Sequence, residues 1–192
     1  MADHTHDHEH DENCAHDHDH DPQTRPDVFD RIRQYGDPVL RTPTLEITRF
    51  DRDLRDEADR MAAIMDAAHG IGLAAPQIGM LSRMAVMRID GDDSDRLTVL
   101  CNPRIVWRSE EEEDGVEGCL SIGEASIAVN VVRALAVRVE AQDLAGNALD
   151  LEREGYAARV VQHEVDHLDG VLMLDRTTPE DRRDALRALR RR

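Results

Sequence analysis

The segment QHEVDHL, residues 162–168, places two histidines four positions apart with a glutamate directly after the first. On a helix, residues i and i+4 lie on the same face, so His163 and His167 can both reach one metal ion. Glu164 lies roughly 100 degrees further round the helix, where its carboxylate can contact a water on that ion. H-E-x-x-H is best known from zinc proteases, in which the glutamate carries protons. The segment therefore predicts a helix that supplies part of a metal site, although hydrogen-bonded histidines without a metal are the alternative.

Two histidines do not complete a metal site, so a third ligand has to come from elsewhere in the chain. No histidine follows His167, and the remaining downstream glutamate, Glu180, lies in an arginine-rich segment, which weakens a protease interpretation. Upstream, Cys119 lies in the segment EGCLS at 117–121. A thiolate with two imidazoles leaves a fourth position open for water, which is the arrangement of a catalytic metal. The alternative for Cys119 is a buried free cysteine.

A third segment of interest, GIGLAAPQIG at 70–79, contains glycines and follows a predicted helix. Its glycines allow the backbone to approach a ligand closely, and Gln77 ends the run with a side-chain amide. The alternative is an ordinary helix end and turn. Three such segments in this order are hard to explain by chance, and together they favour an active site.

Composition indicates a soluble, acidic protein with an unusual N-terminal segment. The 192 residues carry a formal net charge of −17, and all 24 basic residues are arginines. Residues 1–22 contain seven of the ten histidines and eight of the 41 acidic residues. Such a segment cannot bury enough apolar surface to fold, so we predict a disordered tail over 1–25 that is either a weak metal chelator or without a role. The acidic remainder argues against general nucleic-acid binding, so no specific DNA partner is expected, and no apolar run is long enough for a membrane.

Hydrophobic periodicity predicts helices on either side of a central group of strands. One helix begins at Asp51 and stops at Gly70, and two more are predicted at 156–168 and from Pro179 to the end. The strands between them are expected at 84–89, 97–101, 104–107, 127–132, 135–141 and 148–151, with an acidic loop, SEEEEDG, at 109–115. This arrangement indicates an α+β fold.

The three segments GIGLAAPQ, EGCLS and QHEVDHLDG resemble the signature motifs of peptide deformylases, and YGDPVLR at 35–41 extends the likeness. The resemblance covers roughly residues 30–176, within a predicted catalytic domain at 26–176. It implies antiparallel sheets packed around a central helix that carries HExxH. One departure is Gly123, where the family usually has a proline after Ser-Ile; this loosens the segment that follows Cys119.

The resemblance also implies a role for each motif residue. The metal ligands would be Cys119, His163 and His167, and Glu164 would be the acid/base residue. The amide of Gln77 and the backbone N–H of Leu120 would bind the oxygen of the substrate carbonyl. The substrate would be the formyl group on the N-terminal formylmethionine of new proteins, bound by four residues around the methionine: Gly70, Ile71, Gly72 and Val160.

The implied cofactor is one ferrous ion, with Zn2+, Ni2+ and Co2+ as further candidates for the same ligands. A cytoplasmic location and nascent-chain substrates are expected. The segment RRDALRALRRR at 182–192, within a predicted C-terminal helix at 177–192, is either a solvated helix face or a site of attraction to ribosomal RNA. The principal alternative function is metal storage or metal delivery by the histidine-rich tail; deletion of the tail would then remove the function, whereas a deformylase would keep its activity.

Overall fold

The computed structural model describes residues 28–89 and 96–191. Within these ranges, three α-helices, seven strands and three short 3-10 helices are complete. The α-helices are α1 (Arg52–Ala67), α2 (Gly155–Leu168) and α3 (Pro179–Leu189). The strands are β1 (Gly72–Ala74), β2 (Met84–Met87), β3 (Thr98–Arg108), β4 (Glu112–Gly118), β5 (Ala128–Ala134), β6 (Ala136–Gln142) and β7 (Ala148–Glu154). The 3-10 helices span Pro38–Arg41, Ala75–Ile78 and Met173–Asp175. The tail predicted at 1–25 lies outside the described residues.

The strands form two antiparallel sheets. A five-stranded sheet has the order β1-β2-β3-β6-β7, and β4 pairs with β5 in a separate two-stranded sheet. The two strands predicted at 97–101 and 104–107 are one strand, β3, whose register with β6 shifts twice. The α+β class with antiparallel sheets is confirmed.

The prediction of an acidic loop at 109–115 was wrong, because most of this segment belongs to strand β4. Its backbone pairs with β5 from Glu112 opposite Ala134 to Gly118 opposite Ala128. Acidic residues have low strand propensity, but these backbone bonds and the exposure of Glu112, Glu113 and Asp114 to water allow them here. The strand turns only Glu117 fully inward, which leads to the site described below.

Helix α2 occupies the centre of the molecule. It contacts strands of both sheets, and ten of its residues are buried. Val161, Val165 and Leu168 pack in a core cluster with Leu100 and Val139 of the five-stranded sheet. The remaining faces carry buried polar side chains, so the position of this helix fixes the position of every functional group on it.

Helix α1 shows how the sequence leads into the site. Asp51 caps its first turn by accepting a hydrogen bond from the Leu54 N–H, as predicted. At the other end His69 takes a left-handed conformation (φ 53°), and the Gly70 N–H donates to the Met65 carbonyl over 2.8 Å. This closes the helix in the manner of a Schellman cap, with His69 in place of the usual glycine. The chain then enters β1 next to α2.

Candidate active site

The structure brings the predicted metal ligands together. Cys119 follows the end of β4, whereas His163 and His167 lie one turn apart on α2. One ligand atom from each residue lies within 4.8 Å of the others, and Cys119 Sγ is 3.2 Å from His167 Nε2. Zinc ligands at about 2.0–2.3 Å from a tetrahedral ion are about 3.3–3.8 Å apart, so this spacing and this donor set fit a metal ion.

The pKa values of the two histidines shift in opposite directions. Burial lowers the pKa of His163, but hydrogen bonds with Cys119 and Glu117 outweigh burial and raise it well above the usual value. The pKa of His167 is well below the usual value because of burial and the nearby charge of His163. The pair therefore favours one positive charge and disfavours two, and the neutral imidazole of His167 is the form that binds a metal.

His163 is oriented by a buried carboxylate that the sequence reasoning missed. Its Nδ1 is 2.9 Å from Oε2 of Glu117. Because Nδ1 is engaged in this contact, Nε2 is the ring nitrogen that remains available to a metal ion. Glu117 also accepts hydrogen bonds from Arg133 and Arg159. Burial raises the pKa of Glu117, but the bonds from His163 and Arg133 lower it to about 2. Histidines that bind metals commonly donate their other N–H to such a carboxylate.

A second carboxylate of α2 joins the same network. Asp166 lies between the two histidines in the sequence and accepts from Arg133 over 2.5 Å and from Arg176 over 2.7 Å. Arg133 thus connects Glu117 on β4 with Asp166 on α2. The only sequence signal for this network was Glu117 itself, two residues before the cysteine; Arg133 gave none.

Glu164 is buried beside the ligands, with 3% of its surface exposed. Burial raises its pKa to about 7, so the carboxylate can accept and release a proton near neutral pH. Within the described part of the chain its Oε2 has no hydrogen-bond partner. A Cβ at Gly72 would lie 2.2 Å from Glu164 Oε1, so glycine is required where β1 passes this carboxylate.

The Gln77 amide is held in one orientation. Its Oε1 accepts from the Ala74 N–H over 2.8 Å, and its Nε2 donates to Ser121 Oγ over 3.2 Å. Nε2 also lies 3.7 Å from Cys119 Sγ, so the N–H side of the amide faces the metal ligands. The peptide between Cys119 and Leu120 is fixed as well, because the Cys119 carbonyl accepts from the Ile122 N–H over 2.9 Å.

A cavity of about 230 Å3 opens beside these groups. All four residues predicted to bind the methionine lie on its wall: Gly70, Ile71, Gly72 and Val160. Other wall residues were not predicted, among them His69, Val116, Tyr156 and Arg159. Gly70 is constrained because an added Cβ would lie 2.8 Å from the Leu120 side chain. Gly123, the departure from the family pattern, adopts φ 58° and is followed by left-handed Glu124 and Ala125, whose turn borders the cavity.

A helix with HExxH between antiparallel sheets, joined by a cysteine at the end of a neighbouring strand, is the architecture of a metal-dependent hydrolase. The family model described as polypeptide deformylase matches residues 29–183. The chain therefore belongs to the peptide deformylase family, and it is a metal-dependent enzyme that acts on formylated nascent peptides.

Similar proteins agree with this family. The peptide deformylase of Thermotoga maritima is 43% identical over 152 residues, which cover 79% of this chain and 89% of that protein. That of Acidothermus cellulolyticus is 45% identical, with 83% and 84% covered. A crystal structure of peptide deformylase from Plasmodium falciparum superposes with a TM-score of 0.78 at 33% identity, covering 83% of this chain and 93% of that one.

None of the helices in 28–89 and 96–191 combines the length and the apolar character that a membrane-spanning helix requires.

Proposed function

We propose that Cys119, His163 and His167 hold the catalytic metal ion and that Glu164 carries the proton when the formyl group of an N-terminal formylmethionine is hydrolysed. The observation that carries this proposal is the convergence of three metal-binding donor atoms within 4.8 Å, beside a buried carboxylate and at the wall of a cavity. When bound, the ion would lower the pKa of water and polarise the formyl carbonyl.

Glu164 acts twice in this reaction. Its carboxylate first takes a proton from the attacking water, whose oxygen forms a bond to the formyl carbon. The same proton then passes to the nitrogen of methionine as the C–N bond breaks, which releases formate and a free amine. A pKa of about 7 suits a group that has to be both base and acid at neutral pH.

Two N–H donors would stabilise the negative oxygen that forms on the formyl carbon. Nε2 of Gln77 and the backbone N–H of Leu120 are assigned these roles. The fixed orientation of the Gln77 amide supports the assignment, because its bond from Ala74 leaves only the N–H side facing Cys119. Donors that are already in place need not reorganise during the reaction.

The peptide would lie along the edge of β1, with the methionine in the cavity. β1 lies at one end of its sheet, so among residues 28–89 and 96–191 one of its edges has no neighbouring strand. Extended peptides commonly bind by adding a strand to such an edge. Gly70 and Gly72 keep this approach open, while Ile71 and Val160 supply apolar surface for the methionine side chain.

Formate release tests the function directly. Purified protein loaded with Fe2+ under anaerobic conditions should release one formate for each free methionine amine formed from a formyl-Met peptide. Cleavage of internal peptide bonds without formate would instead indicate a zincin-like peptidase. Deletion of residues 1–22 should leave this formate release unchanged, because the tail is needed only in the metal-storage alternative.

We assign ferrous iron as the metal in the cell. The Cys-His-His set suits zinc by geometry and softness, but ferrous iron more readily accepts an additional ligand when the formyl oxygen binds. Iron also makes the site sensitive to air, because oxygen oxidises Fe(II) and then the Cys119 thiolate towards sulfenic acid.

Purification in air should therefore give protein that has lost most of its activity. Activity should return with anaerobic Fe2+, Ni2+ or Co2+ while Cys119 is still a thiol, and fail to return once the thiol is oxidised. Formate release would be measured alongside metal content and the mass of the peptide that contains Cys119. Full activity of the Zn2+ form, with no sensitivity to air, would rule out iron.

We assign residues 26–176 to the catalytic domain of a cytoplasmic enzyme and 177–192 to a basic element that attracts the ribosome. Helix α3 begins at the Thr178 cap and packs Ala185, Leu186 and Leu189 against the protein. Its opposite side exposes arginines in a protein that is acidic elsewhere, which supports attraction to the phosphates of RNA.

Neutralising Arg183, Arg187 and Arg190 together to glutamine should weaken binding to purified ribosomes about tenfold at low salt and flatten its salt dependence. These side chains are exposed, so the packing of α3 is retained. The matched control is the same triple change at Arg52, Arg55 and Arg60 on α1, which alters net charge equally. Equal ribosome binding by the two triple variants in a sedimentation assay would contradict the assignment.

A further inference from the structure

Arg159 connects the metal side of α2 with both strands of the small sheet. It lies four residues before His163, so it shares the helix face that carries the two histidines. Its side chain is buried, and its Nη1 donates to the Val131 carbonyl over 2.7 Å and to Glu117 Oε1 over 3.0 Å. Its Nη2 donates to the Glu113 carbonyl over 2.7 Å. The guanidinium is therefore fixed by backbone on β4 and β5 and presents one N–H to Glu117.

Glu117 receives its partners on different oxygens. Arg159 binds Oε1 and His163 binds Oε2, while Arg133 donates to both. Without Arg159, the Glu117 carboxylate would keep only its two hydrogen bonds from Arg133 besides the one with His163. The guanidinium of Arg133 also donates to Asp166. The bond from Arg159 fixes Oε1 from a second direction, so the other oxygen is held towards His163.

Gly115 leaves room for this arrangement. A Cβ at this position would lie 2.7 Å from both Cζ and Nη2 of Arg159. Any side chain there would push the guanidinium away from its acceptors. The strand thus has glycine at the one place where the flat face of the arginine passes over it.

Arg159 also lies on the wall of the cavity next to Val160. Its polar end contacts the support of a metal ligand, while the residue as a whole borders the space assigned to the substrate. A residue in this position can hold the cavity wall at a fixed distance and orientation relative to the ligand His163.

We propose that Arg159 is a positioning residue, which holds the Glu117 carboxylate against His163 and thereby fixes the nitrogen that His163 presents to the metal. The inference rests on the metal site proposed above. A purely structural role, in which Arg159 only ties α2 to the small sheet, would change the stability of the fold but not the properties of a bound metal.

Full-length protein loaded with Co2+ separates these two roles, because cobalt reports its ligand geometry in the visible spectrum. Arg159→Met retains an unbranched apolar stem but loses all N–H donors. We expect it to release Co2+ to a chromogenic chelator about tenfold faster, since the loss of such supporting partners typically costs 10–100-fold in metal affinity. The visible bands should shift, and kcat should fall more than KM rises.

Two further variants keep the positive charge and change only the geometry. Gly115→Ala displaces the guanidinium, and Arg159→Lys cannot reach the acceptors on Glu113, Glu117 and Val131 together because it has a single ammonium group. Both should release Co2+ faster than the unmodified protein. The matched control is Arg138→Met, which removes an exposed arginine that pairs with Asp150 on the five-stranded sheet. Thermal unfolding of each variant, measured without metal, gives the purely structural effect.

Co2+ release and spectra of Arg159→Met and Gly115→Ala that match those of Arg138→Met would overturn the positioning role, whatever their thermal stability. The proposed metal site is judged separately by Cys119→Ala. If that variant loses Co2+ rapidly while the Arg159 variants do not, the metal site stands and only the role of Arg159 fails.

Discussion

Glu164→Gln should almost abolish formate release while the protein keeps its metal. The substitution preserves the shape of the side chain and leaves the donors of Cys119, His163 and His167 in place. It removes the only group assigned to carry a proton, and general acid–base catalysis contributes about 10²–10⁴-fold to rates. We therefore expect kcat to fall by about this factor, with one metal ion per protein still present by elemental analysis.

The fold should tolerate this change, because a neutral amide is easier to bury than a carboxylate. Glu164 is already destabilised as an anion by burial, so the midpoint of thermal unfolding should not decrease. Glu152→Gln, on exposed strand β7, is the matched control and should retain full activity. Normal turnover of a fully metallated Glu164→Gln protein would exclude the assigned proton transfer.

The helices were predictable from the sequence because their signals are local. In α1, Asp51 marks the start and Leu54, Ala58 and Met61 recur on one face, and the observed helix matches within a few residues. In α2, the spacing of His163 and His167 was sufficient to predict a shared face. The three motif segments could be linked to one site before any distance was known because they occur together in this order and resemble the motifs of peptide deformylases.

The errors arose where backbone pairing between distant segments decides the structure. The acidic residues of β4 are poor strand formers, and only the partner strand β5 makes them extended. β1 has three residues, too few for any period to appear. The network of Glu117, Arg133 and Asp166 joins three elements across 49 sequence positions, and no spacing rule connects such residues.

Cys119→Ala should lower metal binding, whereas Glu164→Gln leaves the metal in place. Activity is then lost because the metal is lost. The thiolate is the only anionic ligand of the three and lies 3.2 Å from His167 Nε2. Four-ligand zinc sites in small peptides bind with roughly 10–16 kcal/mol, or about 3 kcal/mol per ligand, so one lost ligand lowers affinity by at least about 100-fold. Dialysis against a chelator, followed by elemental analysis, measures the loss.

The other described cysteine provides the control for the same substitution. Cys101 is buried in β3, and burial raises the pKa of its thiol to about 11, so it has no thiolate to offer a metal. Cys101→Ala should lower stability through a small cavity in the core but keep both metal and activity. In Cys119→Ala, Gln77 still bonds to Ala74 and Ser121, so the local fold is retained. Equal metal retention by the two alanine variants would mean that Cys119 is not a ligand. The metal would then be held by His163 and His167 without the thiolate, and the position open to water and substrate would have to be assigned again.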